Sequence, residues 1–192
     1  MPRRDNRGGR RAPREPRRRT ILVYCGGLRT ERDYLDGFRQ QFRTHAVNVR
    51  VRADAVAPEA LVRAAAGYRD RRPGVYDEVW CVVDVDEFNI EAAARVARDH
   101  RVRLAVSNPC FELWLLLHHT DCRAACARAA DVLRRLRRHV PHYDKAGLRF
   151  TDFTAGVDAA VKRARDLEPS GQDHLRNPST NVWQLVERIL GG

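Results

Sequence analysis

An α/β domain built on a four-stranded parallel, Rossmann-like sheet is the fold this sequence predicts, and three observations carry it. Short apolar runs alternate four times with helix-like segments between residues 20 and 107, the pattern of parallel strands joined by crossover helices. The run Val79-Trp80-Cys81-Val82-Val83 is apolar at every position, as a strand covered on both faces must be. From Cys110 onward the patterns are helical. The chain therefore divides into an Arg-rich arm at 1–19, an α/β core at 20–120 and a helical extension at 121–192 packed on the core.

In order, Thr20-Ile21-Leu22-Val23-Tyr24-Cys25 is a first strand of β-branched and aromatic residues. Gly26-Gly27 turns the chain, and Thr30 is placed to cap a helix running to about Phe42. Asn48 to Arg52 alternates like a second strand. Pro58 opens a helix to Arg71, and Arg72-Pro73-Gly74 ends it. The third strand is the run before Asp84, followed by a helix from about Phe88 to His100; Arg103 to Ser107 is the fourth strand. Beyond Asn108-Pro109, Cys110 to His119 reads as a buried helix too short to span a membrane. Asp121–Arg138 and Asp152–Leu167 read as helices, separated by a loop from Pro141 to Arg149, and a last helix follows Asn177-Pro178-Ser179-Thr180. Trp80, Trp114 and Trp183 lie in apolar contexts and belong to the core.

The net charge is +11 over 192 residues, a balance that suits a polyanionic partner or plain solubility. It is unevenly spread. Residues 1–19 hold nine Arg against Asp5 and Glu15, which leaves +4 for the rest. Such an arm cannot bury enough apolar surface to fold alone; it reads equally as a solubilising tail or as a nucleic-acid contact through Arg17, Arg18 and Arg19, joined by Arg29. Lys145 and Lys162 are the only lysines, and an Arg-rich, Ala- and Val-rich composition also follows from a GC-rich genome. Five cysteines, an odd number, and no secretory signal point to reduced thiols in a cytoplasmic protein that does not enter a membrane.

Chemistry concentrates at the predicted carboxyl edge of the sheet, where open α/β folds bind ligands. Asp84 and Asp86 leave the third strand on one side, and two carboxylates there suit Mg²⁺ or Mn²⁺. Glu31 follows the first strand and Glu112 the fourth. Each has a structural reading as well: Asp86 as a helix cap, Glu31 and Glu112 as favourable charges in a first helical turn. Their coincidence at one edge favours a site. His118, Cys122 and Cys126 share a zinc-like spacing, but Thr120-Asp121 breaks the helix that would align them.

Read together, "ILVYCGGLRTERDYLDGF", "YDEVWCVVDVDEF", "LAVSNPCFELWLLLHH", "HYDKA" and "NPSTNVWQLV" resemble the RloB-like family, in order from about Arg17 to Leu190. That family is linked to prokaryotic restriction and anti-phage loci and has a TOPRIM (topoisomerase–primase) type of fold. The resemblance implies a Mg²⁺-dependent nuclease or nuclease-derived component, in which Asp84 and Asp86 hold metal, Glu31 assists, and Lys145 stands near the scissile phosphate with Glu112 in the same site. The substrate would be DNA or RNA, and a partner ATPase, another restriction-system protein or a homodimer stays open. One position departs: the family's first motif usually reads Cys-Glu-Gly-x-x-Thr-Glu, and here Gly26 replaces the first Glu while Glu31 keeps the second. The alternative is thus a catalytically degenerate TOPRIM protein that binds nucleic acid or a partner.

Overall fold

The computed structural model describes residues 19–42, 47–53, 56–85 and 90–191. Its sheet is assembled from β1 (Arg19–Cys25), β2 (Val47–Ala53), β3 (Glu78–Asp84), β4 (Arg103–Asn108) and a two-residue β5 (Ser179–Thr180), in the order β2-β1-β3-β4-β5. The first four strands are parallel throughout. The expected four-stranded sheet gains a fifth member, since β5 pairs antiparallel with the end of β4. A Ser-Thr pair has no apolar pattern to announce a strand. Its hold is polar: the Ser107 and Thr180 hydroxyls lie 2.9 Å apart, and the Asn181 amide donates to Leu104 O and Gly171 O while accepting the Val106 N–H.

Alternation along the strands sorts the core into two layers. Leu22, Tyr24, Val79, Cys81 and Val83 face α2 (Pro58–Asp70) and α3 (Ile90–Asp99). Ile21, Val23, Cys25, Trp80 and Val82 face the other side, where α1 (Thr30–Gln41), α4 (Glu112–Leu117), α5 (Ala129–His139), α6 (Val157–Leu167) and α7 (Val182–Leu190) gather. Buried residues of the C-terminal helices, among them Val132, Leu136, Val157 and Leu185, join the sheet residues in this one apolar cluster. All six residues of α4 are buried, which is why its sequence after Glu112 is apolar on every side.

Three helical expectations change. Residues 121–128 are irregular and α5 begins at Ala129 rather than Asp121. Asn177 explains this: its side chain accepts the Cys126 N–H and donates to the Cys126 carbonyl, each at 2.9 Å, replacing the bonds a helix would make. The helix expected from Asp152 starts as two short 3₁₀ turns, Phe150–Asp152 and Thr154–Gly156, before α6. Thr30 is the first residue inside α1 rather than its cap, and its hydroxyl donates to the Lys145 carbonyl at 3.1 Å.

Two buried polar groups, His118 and Tyr34, brace the larger layer. His118 accepts the Tyr34 O–H at Nε2 (3.0 Å) and donates from Nδ1 to the Trp114 carbonyl (2.9 Å). Burial lowers its pKa to about 3, outweighing the hydrogen bond to the Trp114 carbonyl, which acts upward, and the imidazole is neutral. Among the described residues no helix is long and apolar enough to cross a membrane.

Candidate active site

The strand order reverses between β1 and β3, because β2 lies beyond β1 and β4 beyond β3. Their carboxyl ends frame a crevice at such a switch point. A cavity of about 380 Å³ opens there, lined by Gly27, Arg29, Thr30, Glu31, Asp84, Phe111, Glu112 and Lys145, with Leu28 and Ala146. Of the residues expected at the site, Glu31, Asp84, Glu112, Lys145 and Arg29 thus come together. Asp86 lies outside the described residues, as do Arg17 and Arg18.

Local structure delivers each side chain. Asp84 ends β3 with the same parity as Trp80 and Val82, so it points to the α1/α4 face. Glu31 sits in the first turn of α1 and is buried; its carboxylate accepts the Gly27 N–H and its own. A Cβ on residue 27 would collide with the Glu31 carboxylate, so the close approach requires glycine there. Glu112 opens α4 at 3% exposure. Its Oε1 is 2.7 Å from Lys145 Nζ and accepts the Tyr143 O–H at 3.2 Å. Lys145 arrives from the loop after α5, held by the Thr30 bond.

The electrostatics are those of crowded, desolvated carboxyls. Burial, then the Glu31 and Glu112 charges, push Asp84 well above the ordinary carboxyl range, against a backbone hydrogen bond from Phe111 and the charge of Lys145. Burial, then Glu112, also raises Glu31, opposed by its backbone hydrogen bonds and by Lys145. For Lys145, burial works downward, but the hydrogen bond and charge of Glu112 outweigh it and raise the pKa. Asp84 Oδ1 is sealed from solvent and has no hydrogen-bond partner. Buried acceptors are nearly always satisfied; of the four buried side-chain atoms without a partner among the described residues, Asp84 Oδ1 is the one carboxylate oxygen.

No three His, Cys, Asp or Glu side chains among the described residues stand close enough together to cage an ion. The chemistry still fits a loosely held one. Mg²⁺ binds through one or two carboxylates and keeps several waters, and an orphaned carboxylate oxygen beside Glu31 meets that requirement. The zinc-like trio does not converge: His118 turns into the core, while Cys122 and Cys126 approach each other at 3.6 Å.

Some placements depart from expectation. Arg19 belongs to β1, and its guanidinium is 3.9 Å from Glu78 at the opposite, amino end of the sheet. Ser107 bonds Thr180, and Asn108 donates to His174 O and Leu175 O. Gly26 does not line the cavity; a Cβ there would meet Val82 O at 3.4 Å and Leu61 and Val83 at 3.9 Å. Sequence reasoning missed Tyr143, whose one signal is its place two residues before Lys145.

No curated protein and no solved structure matches the chain. A family model does, described as RloB-like protein and matching residues 21–189. It covers the described strands except the first two residues of β1, and all but the last residue of α7, and the chain belongs to the RloB-like family.

Proposed function

We propose that this protein is a Mg²⁺-dependent phosphodiesterase of the TOPRIM type, acting on nucleic acid within a prokaryotic defence system. The observation that carries the proposal is the meeting of Asp84, with its unpartnered Oδ1, Glu31, Glu112 and Lys145 in one cavity at the switch point. Asp84 and Glu31 would hold the ion, together with Asp86. When bound, such an ion polarises a phosphoryl oxygen and lowers the pKa of a coordinated water. The chain's own residues supply the rest. Burial raises both the Glu31 and the Asp84 carboxyl, which disposes them to hold and pass on a proton. Lys145 stands at the cavity wall as a cation for charge that develops on the phosphate, while Glu112 and Tyr143 fix its position.

Gly26 favours the second reading, a protein that binds without cleaving, since loss of a general acid or base costs about 10²–10⁴ in rate. Against it, residue 26 lies outside the cavity lining, and the cavity keeps three carboxylates of its own. The test is cleavage of plasmid DNA and of total tRNA with Mg²⁺ or Mn²⁺, comparing wild type, Asp84→Asn and Gly26→Glu. Wild-type cleavage lost in Asp84→Asn supports the enzyme. Cleavage by Gly26→Glu alone makes the natural chain a binding protein. A Cβ at residue 26 would stand at ordinary contact distance from Val82 O, Leu61 and Val83, so the substitution begins without a backbone clash.

A further inference from the structure

The cavity is acidic, and a nucleic acid approaching it needs compensation from somewhere else on the surface. Residues 121–149 hold seven Arg and Lys145 against Asp121, Asp131 and Asp144, a net of +5. The chain beyond residue 19 totals only +4, so the remainder of the folded part is close to neutral. The excess sits in one stretch of the chain.

Its arrangement is directional. Arg134, Arg137 and Arg138 fall three and four residues apart on α5, all exposed, and therefore share one face. Val132 and Leu136 occupy the buried face. Arg134 is paired to Asp131. Among the described residues, no carboxylate pairs with Arg123, Arg128, Arg137 or Arg138, whereas Glu78 draws three guanidiniums at the far end of the sheet. Cations in the last turn of a helix also favour its dipole, which accounts for Arg137 and Arg138 but not for Arg123 and Arg128 before the helix. The basic face leads to the cavity along the chain. Val140 closes α5, Tyr143 N–H bonds Val140 O, and the Tyr143 hydroxyl and Lys145 ammonium both reach Glu112.

We infer that α5 and the segment before it form a phosphate-backbone rail, which lays a nucleic-acid strand across the exposed Arg row and delivers it to Lys145 at the cavity. The inference rests on the nucleic-acid reading of the site and names the surface that grips the substrate. Guanidiniums suit the task through their paired donors to phosphate oxygens, and such contacts recognise backbone without reading sequence.

The test uses the full chain and follows binding of a labelled DNA duplex and a labelled single-stranded RNA by fluorescence anisotropy across a KCl series. Removing one phosphate-binding cation lowers the slope of log K against log salt by about 0.9 on duplex DNA and about 0.7 on single strands. Arg137→Gln with Arg138→Gln should therefore shallow the slope by about 1.8 on DNA or about 1.4 on RNA; the nucleic acid that shows the change is the one the rail takes. Arg123→Gln with Arg128→Gln repeats the measurement before the first turn of α5, where the Arg128 side chain makes no capping hydrogen bond. The control pair Arg95→Gln with Arg98→Gln on α3 should leave the slope unchanged. The rail is overturned if both test pairs keep the wild-type slope, if the α3 pair lowers it equally, if removing residues 1–18 abolishes the slope entirely, or if the full chain binds neither probe. Asp84→Asn separates the two readings. A rail slope that responds as expected, in a protein whose cleavage ignores Asp84→Asn, keeps the rail and removes the hydrolytic site. Cleavage that depends on Asp84 but ignores both Arg pairs does the reverse.

Discussion

Strand β3 carries a carboxylate at each end, and the two could hardly be treated more differently. At the amino end, Glu78 is 2.6 Å from Arg188 Nε, within 3.9 Å of Arg19 and Arg103, and accepts the Trp80 indole N–H at 3.2 Å. At the carboxyl end, Asp84 has an oxygen with no partner and two further carboxylates for neighbours. One end is saturated with counter-charge, and its contribution is to tie β1, β4 and α7 to the sheet. The other is left short of partners, in a way that costs stability unless something binds. Sites of function are where such costs are retained. Because both carboxylates belong to one strand, neither its composition nor its place in the sheet accounts for the difference.

The largest effect that would sharpen this contrast is on activity. Asp84→Asn should lower phosphodiester hydrolysis by about 10² or more, measured as initial rate on whichever substrate the wild type cleaves. Glu78→Gln should leave the rate per folded molecule unchanged. Equal losses in both would break the comparison.

Next in size is a response to acid at a buried polar site away from β3's ends, where the partners are complete. The His118 pKa is lowered to about 3 in the folded protein, against about 6.5 unfolded. The folded state therefore binds fewer protons between these values. Its contribution is fully present above pH 6.5 and is lost as pH falls toward 3. At pH 4 the loss should be roughly 3 kcal/mol. Urea unfolding at pH 7, 5.5 and 4 checks it, and His118→Gln should be less stable at pH 7 but lose less on acidification.

The two ends of β3 should then move stability in opposite directions. Asp84 has its folded pKa raised, so the folded state binds more protons than the unfolded chain, and stability falls as pH rises from about 4 through the raised value. Asp84→Asn, in EDTA at neutral pH, should accordingly stabilise by about 1–3 kcal/mol. Glu78→Gln, leaving three guanidiniums without their counter-charge, should destabilise by about 1–2 kcal/mol. Thermal melts of the two variants side by side give the signs, and a destabilised Asp84→Asn would refute the account of that end.

The smallest expected effect concerns the residue that holds Glu112. Tyr143→Phe removes one hydrogen bond and should slow hydrolysis by about two- to tenfold. A structural role alone would leave the pH–rate profile in place; a positioning role should shift its limb governed by Lys145.

The order of elements from β1 to β4 was written in the chain, because parallel strands buried on both faces need continuous apolar runs and their crossovers need amphipathic ones. Asp84, Glu31, Glu112 and Lys145 were also legible as candidates, the first three from strand ends and helix starts, and Lys145 from the family blocks. What sequence could not carry was anything made by polar contacts between distant segments. The two-residue β5 exists through Ser107, Thr180 and Asn181. The irregular stretch before α5 is held by Asn177 on Cys126, in a segment whose own pattern is helical. Tyr143 reaches Glu112 across 31 positions, and Arg19 left the basic arm to pair with Glu78. Periodicity reports which face of an element avoids water, and so determines strands, helices and their layers. Which buried oxygen finds a partner, and which has none at the end of β3, is decided only when residues far apart in sequence are packed within hydrogen-bonding distance.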